Sequence, residues 1–286
     1  MRRATRDDYE RRMLRVQQAL ADRLDEDIAP AELARIASFS LHHFHRIFRA
    51  QLGETAMQHV RRLRLERAAR TLRGGDARIL DVALAAGYES HEAFTRAFID
   101  RFGIAPSEFR DQPNTRVQAF VATERGRAPT ASVRVEAFPA IRVAFMRHRG
   151  GYAGIESFWA AMYAWCARRE LAGHGLYGVC PDDPEVTPEG LLRFDACVVV
   201  DDDFALGDGD HAIGLAEIPA GTYAVGIHVG PYMRLSETYL DVIGRWFPTS
   251  GYELAPDAAV IEHYVDDPHA TPDSELRTEV RVRIAD

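Results

Sequence analysis

Apolar residues recur every three or four positions from residue 7 to residue 110, the spacing of amphipathic helices. The first predicted helix runs from Asp7 to Leu24, with apolar residues such as Met13, Val16 and Leu20 on one side. Together with prolines, glycines and capping residues, this spacing predicts six more helices, over 30–37, 40–49, 56–72, 79–86, 90–98 and 106–110. We therefore expect an all-α N-terminal domain.

One polar-faced helix of this region occurs twice, fifty residues apart. Ser40 to Arg49 reads Ser-Leu-His-His-Phe-His-Arg-Ile-Phe-Arg, and the second copy runs from Ser90 to Phe98. Each copy follows a short apolar helix and a brief turn. A short helix, a turn and a helix with an exposed polar face form the helix-turn-helix arrangement that fits the DNA major groove. A plain helical repeat with solvated polar faces is the alternative, but the constant register of both helix pairs favours two DNA-binding units.

The polar faces of the two repeated helices supply the candidate DNA contacts, because their side chains match phosphates and base edges. Phe44 and Phe94 lie on the opposite, apolar stripe and are predicted to be core anchors. The helix over 56–72 is about 26 Å long, a length that could hold the repeated helices about one DNA turn, ~34 Å, apart. The predicted DNA contacts are Ser40, His42, His43, His45, Arg46, Arg49, Ser90, His91, Glu92, Thr95 and Arg96.

Beyond residue 131 the pattern changes to strands alternating with helices, and it repeats at an offset of eighty residues. His148 corresponds to His228, and Tyr152 to Tyr232. Each copy predicts a strand, a glycine-rich turn, a helix and two further strands. Two pseudo-symmetric β-α-β-β repeats would place both helices on one side of an antiparallel sheet, an α+β domain.

The two domains are joined by a segment rich in proline, glycine and polar residues. We interpret residues 112–131 as an interdomain linker with one strand near Val117 to Val121. The predicted organisation is a helical domain over residues 1–111, this linker, and an α+β domain over residues 132–286.

Charge separates the two domains. Residues 1–116 contain 21 arginines and 17 acidic residues, a net charge of +4, whereas the rest contains 14 arginines and 26 acidic residues, a net charge of −12. The chain contains no lysine, so every phosphate contact must come from arginine, histidine or a neutral donor. This separation suits one domain that binds phosphate groups and a second domain that binds a different kind of partner.

Other global features exclude several protein classes. Three cysteines without metal-ligand spacing indicate buried thiols, not a disulfide framework or a metal site. No apolar run reaches the ~18 residues of a membrane span, and the N-terminus lacks the apolar segment of a secretion signal. We therefore expect a cytoplasmic protein without membrane contact.

Glu262 is the candidate binding residue of the second domain. It stands in the strand Ala-Val-Ile-Glu-His-Tyr, and its counterpart in the first repeat is Gly178, so the repeat does not require the acid. A carboxylate among apolar residues is costly unless paired, and a cationic or hydrogen-bonding ligand would supply the partner. A solvent-facing residue, or an ion-pair partner of Arg281 or Arg283, is the alternative.

Aromatic residues are predicted to line a cleft with Glu262. Helical spacing assigns Phe158, Met162 and Trp165 to the core instead, while the two turn histidines, His148 and His228, are expected to be structural. The predicted cleft residues are Tyr152, Trp159, Tyr163, Tyr232, Trp246 and Tyr264.

The N-terminal motifs resemble the DNA-binding domain of the AraC family of transcription regulators. The resemblance rests on Phe44-His-Arg-Ile-Phe48, Ala83-Leu-Ala-Ala-Gly-Tyr88 and Gly103-Ile-Ala-Pro-Ser-Glu-Phe-Arg110, among others, and covers about a hundred residues. One departure is His42, at a position where relatives can carry a large DNA-contacting side chain. The DNA sequence that the protein reads is therefore open.

The C-terminal motifs resemble the GyrI-like effector-binding domain, a fold that often holds small molecules between its two halves. The carriers include His148-Arg-Gly-Gly-Tyr152, His228-Val-Gly-Pro-Tyr232 and Glu262-His-Tyr264. This resemblance implies a ligand-reading glutamate at position 262.

Together the resemblances imply a sequence-specific transcription regulator that senses a small cationic or amphipathic molecule. We expect double-stranded DNA, the effector and RNA polymerase as partners, no cofactor and no metal, with the oligomeric state open. Some GyrI-like proteins hydrolyse small electrophilic compounds, so Glu262 acting as a base beside a tyrosine is one alternative. A module that antagonises another protein is a second. The sequence contains no nucleophilic triad motif, and we expect no enzyme.

Overall fold

The structure, a computed structural model, describes residues 3–74, 76–112, 131–152, 154–255 and 259–285. These residues form two compact units. One contains the chain up to Gln112 together with Ala205–Gly214, and the other contains the remaining residues. The predicted strand near Val117 to Val121 lies outside the described residues.

The first unit is helical, as predicted. Its central helix begins where Thr55 and Gln58 form a reciprocal cap: the Gln58 N–H donates to Thr55 Oγ1 (3.2 Å) and the Thr55 N–H donates to Gln58 Oε1 (2.9 Å). The helices are α1 (Arg3–Asp22), α2 (Pro30–Ile36), α3 (Leu41–Leu52), α4 (Ala56–Gly74), α5 (Ile79–Ala85), α6 (His91–Phe102) and α7 (Pro106–Asp111).

The two repeated helices, α3 and α6, begin and end in the same way. Ser40 Oγ accepts a hydrogen bond from the His43 N–H (3.3 Å), and Ser90 Oγ accepts one from the Ala93 N–H (3.1 Å). Both helices stop at a glycine in the left-handed region, Gly53 at φ +74° and Gly103 at φ +80°. Glycine adopts this conformation without the steric cost of a Cβ atom.

The predicted core anchors are buried. Phe44, Phe48, Phe94 and Phe98 are all 0% exposed, which confirms the assignment of the phenylalanine stripe to the core. Their rings pack against each other within each helix, at centroid distances of 5.5 Å in α3 and 5.4 Å in α6. Burying this stripe leaves the other face of each helix for contacts outside the domain.

The second unit is an α+β domain built on one eight-stranded sheet. Its strands are β1 (Val133–Phe138), β2 (Ile141–Arg149), β3 (Leu176–Cys180), β4 (Arg193–Val199), β5 (Ile213–Ile218), β6 (Gly221–Val229), β7 (Val260–Tyr264) and β8 (Arg277–Arg283). The strand order across the sheet is β1-β6-β8-β7-β3-β4-β2-β5. Every pair with a described register is antiparallel.

The sheet contains two strands more than the six of the predicted repeats, namely β1 and β5. β1 mixes charged with apolar residues and is only half buried along its length. It lies at one edge of the sheet beside β6, and β5 lies at the other edge beside β2. The pseudo-twofold relation of the two repeats stays a prediction.

The remaining elements of this unit are helical. None of the helices in the described part of the chain combines the length and apolarity that crossing a bilayer requires. The sheet packs closely on the second helical run, since a Cβ added at Gly226 would meet the Val242 side chain. The helices are α8 (Ile155–Arg168), α9 (Leu235–Tyr239), a π-helical segment (Leu240–Trp246) and α10 (Phe247–Ser250), with short 3-10 turns at Glu189–Leu191, Tyr232–Arg234 and Asp273–Glu275.

Candidate functional site

The polar faces of α3 and α6 are exposed at most of the predicted DNA contacts. Phosphate and base-edge contacts require reachable side chains, and arginine is the commonest donor for both. Arg46 and Arg96, which occupy matching positions of the two copies, are both exposed. The other exposed members are His42, His45, Arg49, His91 and Glu92.

Three of the predicted contacts also make interactions inside the domain, and a fourth has a buried hydroxyl. Ser40 and Ser90 cap their helices. His43 is half buried, with Nε2 3.1 Å from the Tyr9 hydroxyl and its ring 4.8 Å from that of Phe39. The Thr95 hydroxyl oxygen is buried without a hydrogen-bond partner among the described residues. His43 and Thr95 are half buried, and their predicted contacts with DNA stay predictions.

Glu262 lies in the middle of the sheet, on the strand pair β3–β7 that joins the two sets of four strands. It is directly opposite Gly178, the residue that the eighty-residue repeat also identifies as its counterpart. Its exposure is 7%, which excludes the alternative of a solvent-facing strand residue. The alternative of an ion pair with Arg281 is also wrong, because Arg281 pairs with Glu136 (2.7 Å) and Glu279 (2.5 Å).

Two tyrosine hydroxyls satisfy the buried carboxylate. Tyr239 donates to Glu262 Oε1 (2.6 Å), and Tyr264 donates to Glu262 Oε2. Burial raises the pKa of Glu262 above its ordinary value, and the two hydrogen bonds oppose that shift without reversing it. Burial also raises the pKa of both tyrosines, so they remain donors. The carboxylate is thus held in place by donors that carry no positive charge.

Aromatic rings pack beside these groups. The Trp159 ring of α8 lies 5.0 Å from that of Tyr264 and 6.0 Å from that of Phe194, both nearly edge-on. Tyr232 lies 5.4 Å from Tyr264 on another side. We call Glu262, Tyr239, Tyr264, Trp159 and Phe194 the Glu262 site. Acid and aromatic faces together attract cations through charge and through the ring quadrupole.

Gly178 makes room for the carboxylate. A Cβ at this position would lie 2.9 Å from Glu262 Oε2 and 2.8 Å from Phe194 Cζ. No ordinary Cβ approaches other atoms so closely, so any side chain here would displace the acid or the ring. The absence of a side chain on β3 therefore lets the acid of β7 lie against the sheet.

The other predicted cleft residues differ in their contacts. Tyr152 meets the Phe194 ring at 6.3 Å, and burial together with the nearby Cys180 and Glu262 raises its pKa well above its ordinary value. The Tyr163 ring lies 5.8 Å from that of Trp159. Trp246 instead stacks on Tyr252, with centroids 5.8 Å apart, and packs beside the apolar core of its own helical run. Its predicted place in the wall of the site stays a prediction. Met162 and Trp165 are buried, as predicted for core residues.

Sequence analysis missed Tyr239, Phe194 and Cys180. The eighty-residue repeat contained a signal for Tyr239, because that offset aligns it with Trp159. Phe194 lies in an apolar strand and nothing in its pattern distinguishes it from core. Cys180 Sγ lies 3.5 Å from the Tyr239 hydroxyl, and burial raises the pKa of the thiol well above its ordinary value. Such a thiol is a poor nucleophile.

A carboxylate beside aromatic rings is chemistry that suits a cation, and the arrangement also has one feature of a general base. A buried carboxylate with a raised pKa beside phenol donors is a configuration found at both binding and catalytic sites. The three cysteines are buried and unpaired with each other, as predicted. Within the described ranges no group of three or more histidine, cysteine or acidic side chains could hold a metal ion.

Two family models match the chain. The model described as a GyrI-like small molecule binding domain matches residues 131–285, and the model described as a helix-turn-helix domain, of AraC type, matches residues 33–112. Apart from Ala205–Gly214, each matched range falls within one of the two units of the structure.

Several curated proteins are similar to parts of the chain. The probable transcriptional regulator YgiV of Escherichia coli (strain K12) is 30% identical over 159 residues, which are 54% of this chain and 98% of YgiV. The uncharacterized HTH-type transcriptional regulator YbfP of Bacillus subtilis (strain 168) is 36% identical over 102 residues, which are 36% of this chain and 35% of YbfP. A DNA gyrase inhibitor of Erwinia billingiae (strain Eb661) is 31% identical over 109 residues, which are 37% of this chain and 67% of that protein. The chain therefore spans nearly all of YgiV but about a third of YbfP.

Proposed function

The chain belongs to the family of GyrI-like small molecule binding domains, and from that premise we propose that it is a DNA-binding transcription regulator that senses a cationic or amphipathic molecule. In this proposal α3 and α6 bind double-stranded DNA and the Glu262 site binds the effector. RNA polymerase is the protein partner of the DNA-bound regulator. Such a protein acts in the cytoplasm, where its DNA is.

The exposed arginines and histidines of α3 and α6 support the DNA-binding part. Both helices present them on the face opposite a fully buried phenylalanine stripe. The regulator names of YgiV and YbfP agree with this assignment. We propose as DNA contacts the exposed residues His42, His45, Arg46, Arg49, His91, Glu92 and Arg96.

The observation that carries the effector part is the buried carboxylate of Glu262. Burying an acid costs free energy, and the Glu262 site gives it only neutral donors. A positively charged ligand would offset this cost, while the rings of Trp159 and Tyr264 would contact its apolar groups. The site thus favours a small cation with aromatic or aliphatic bulk.

Glu262→Gln in the full chain tests the effector part. The substitution keeps the shape of the side chain and removes its charge. It should therefore reduce the affinity for a cationic dye by about tenfold or more, and the affinity for a neutral dye of similar size far less. Tryptophan fluorescence quenching would measure both affinities. Glu217→Gln, at an exposed position of β5, is the matched control and should change neither.

The same titrations separate the alternatives. Turnover of the bound compound that disappears in Glu262→Gln would identify a hydrolase in place of a sensor. Equal affinity of Glu262→Gln and the parent protein for the cation would contradict the proposed site. The similarity to a DNA gyrase inhibitor favours the antagonist alternative, and inhibition of purified gyrase by the full chain would support it.

Arg46→Ala and Arg96→Ala test the DNA part. If each arginine reads a base, each variant should lose about 1–3 kcal/mol of binding free energy and relax specificity in one half-site. If they contact phosphate, the loss should be similar for all sequences and the salt dependence should decrease. A full chain that retards no duplex at low salt would overturn the DNA-binding function.

A further inference from the structure

Four charged side chains form a continuous ionic chain through the helical unit. We call Glu54, Arg62, Glu66 and Arg101 the α4 ion chain. Arg62 Nη2 donates to Glu54 Oε1 (2.9 Å), and Arg62 Nη1 donates to Glu66 Oε2 (3.0 Å). Arg101 Nη2 donates to Glu66 Oε1 (2.9 Å). Each carboxylate and guanidinium therefore connects to the next.

The two ends of the α4 ion chain lie at the ends of the two candidate recognition helices. Glu54 directly follows Gly53, the residue that ends α3. Arg101 belongs to the last turn of α6. His59 strengthens the first end, because its Nδ1 lies 2.7 Å from Glu54 Oε1 and its ring meets that of Phe48 in α3 at 5.7 Å. The α4 ion chain thus connects α3 to α6 along α4.

Burial makes this arrangement expensive as a source of stability. Glu66 is 2% exposed and Arg62 is 8% exposed. Buried ion pairs lose hydration, and well-packed apolar residues often stabilise a protein equally well or better. What the ions add is direction, since charge-assisted hydrogen bonds have fixed geometry, whereas apolar contacts allow helices to rotate and slide.

We propose that the α4 ion chain fixes the spacing and rotation of α3 relative to α6, and so determines which separation of two DNA half-sites the protein reads. This inference rests on the proposed DNA-binding function. Each base pair added between half-sites moves them apart by about 3.4 Å and rotates them by about 35°. A protein whose recognition helices have a fixed separation binds such a duplex weakly. A protein whose recognition helices can move relative to each other still binds it.

The test measures a spacing penalty with the full chain. A preferred duplex is first selected from a randomised library with the parent protein. Duplexes with one or two base pairs inserted between its half-sites are then compared with it for each variant. Glu66→Gln weakens the middle of the α4 ion chain, and Arg101→Leu removes its α6 end. Arg101→Lys keeps a cation that can reach Glu66.

The parent protein should bind a duplex with an insertion about tenfold or more weakly than the preferred duplex, because one half-site loses its base contacts. For Glu66→Gln and Arg101→Leu the same insertion should reduce affinity by less than about threefold. Their base preferences within each half-site should stay unchanged. Arg101→Lys should restore the parent's penalty. Glu32→Gln removes an acid from the Arg23–Glu32 pair outside the chain and should keep the full penalty.

Circular dichroism melts establish that each variant is folded at the assay temperature. Arg101 is the more exposed end of the chain, so Arg101→Leu provides the test where Glu66→Gln does not fold. Folded variants that retain the full penalty would show that the ions serve stability alone and would overturn the inference. If the parent protein selects no duplex, the proposed DNA-binding function itself fails.

Discussion

At the scale of single residues, Glu262 shows what alternation along a strand can and cannot predict. Its isolation among apolar neighbours and the glycine in its counterpart position indicated an acid with a special role. The register confirms that Gly178 and Glu262 are direct neighbours. Of its two donors, Tyr264 was among the predicted cleft residues. Tyr239 was missed, because it comes from a helix that only the fold brings over this strand.

Gly178→Ala should damage the Glu262 site. The new methyl group would lie 2.9 Å from Glu262 Oε2, so the carboxylate or the Phe194 ring must move. We expect about 1–3 kcal/mol of lost stability from overpacking, and weaker binding of a cationic dye in the fluorescence titration. Gly190→Ala is the control, since a methyl group there meets open space. A Gly178→Ala protein with unchanged dye affinity would place the ligand elsewhere.

Phe94→Ala should destabilise the helical unit. The ring is 0% exposed, so its removal leaves a cavity and is expected to cost about 3–5 kcal/mol of unfolding free energy. Urea unfolding followed by helical circular dichroism measures the change. Ile99→Ala on the same helix is the comparison, because Ile99 is exposed and should cost far less. A folded Phe94→Ala variant of normal stability that fails only in DNA binding would make Phe94 a DNA contact.

At the scale of elements, the sequence predicted starts better than ends. Capping serines and prolines placed the beginnings of α2, α3, α6 and α7 within one residue, because a side chain or a fixed φ defines those points. The α6 helix continues to Phe102, four residues beyond the repeated motif, since Gly103 and not the motif stops it. Edge strands β1 and β5 were not predicted because their burial depends on neighbours distant in sequence.

The junction of α3 and α4 should weaken in acid. Burial alone would raise the pKa of Glu54, but hydrogen bonds from His59 and Arg62 lower it from an ordinary value of 4.5 to about 2. A carboxyl group with a lowered folded pKa stabilises the protein fully above its unfolded pKa and loses that contribution as pH falls. Unfolding free energy should therefore decrease between pH 4.5 and pH 2. Glu54→Gln should be less stable at neutral pH and should lose less stability over that interval.

Urea unfolding at a series of pH values, followed by circular dichroism, measures this dependence. Glu108→Gln, at an exposed position of α7, is the control and should follow the parent protein. If Glu54→Gln loses as much stability in acid as the parent does, the Glu54 ion pairs do not contribute to folding.

At the scale of the whole molecule, two domains with opposite net charge are joined in one chain. The charge separation and the two repeat periods, fifty and eighty residues, are enough to predict both domains from the amino-acid sequence. The structure contains two compact units, and Ala205–Gly214 groups with the helical one. Nothing in the sequence predicted that exception, because an acidic, glycine-rich segment is typical of a solvated turn.

If the proposed function holds, effector and DNA must influence each other to the same degree. Thermodynamic linkage requires that a ligand which changes the affinity for DNA by some factor has its own affinity changed by DNA by that factor. For the full chain we expect a cationic dye to change duplex affinity by about 5–150-fold, the usual range of such coupling. Dye titrations with and without saturating duplex should give the same factor. In Glu262→Gln the dye should bind weakly and alter duplex affinity only at concentrations that fill the site, while dye-free binding to the duplex stays at the parent's value. If the dye changes the protein's affinity for the duplex but the duplex does not change the protein's affinity for the dye, the dye binds the DNA instead of the protein.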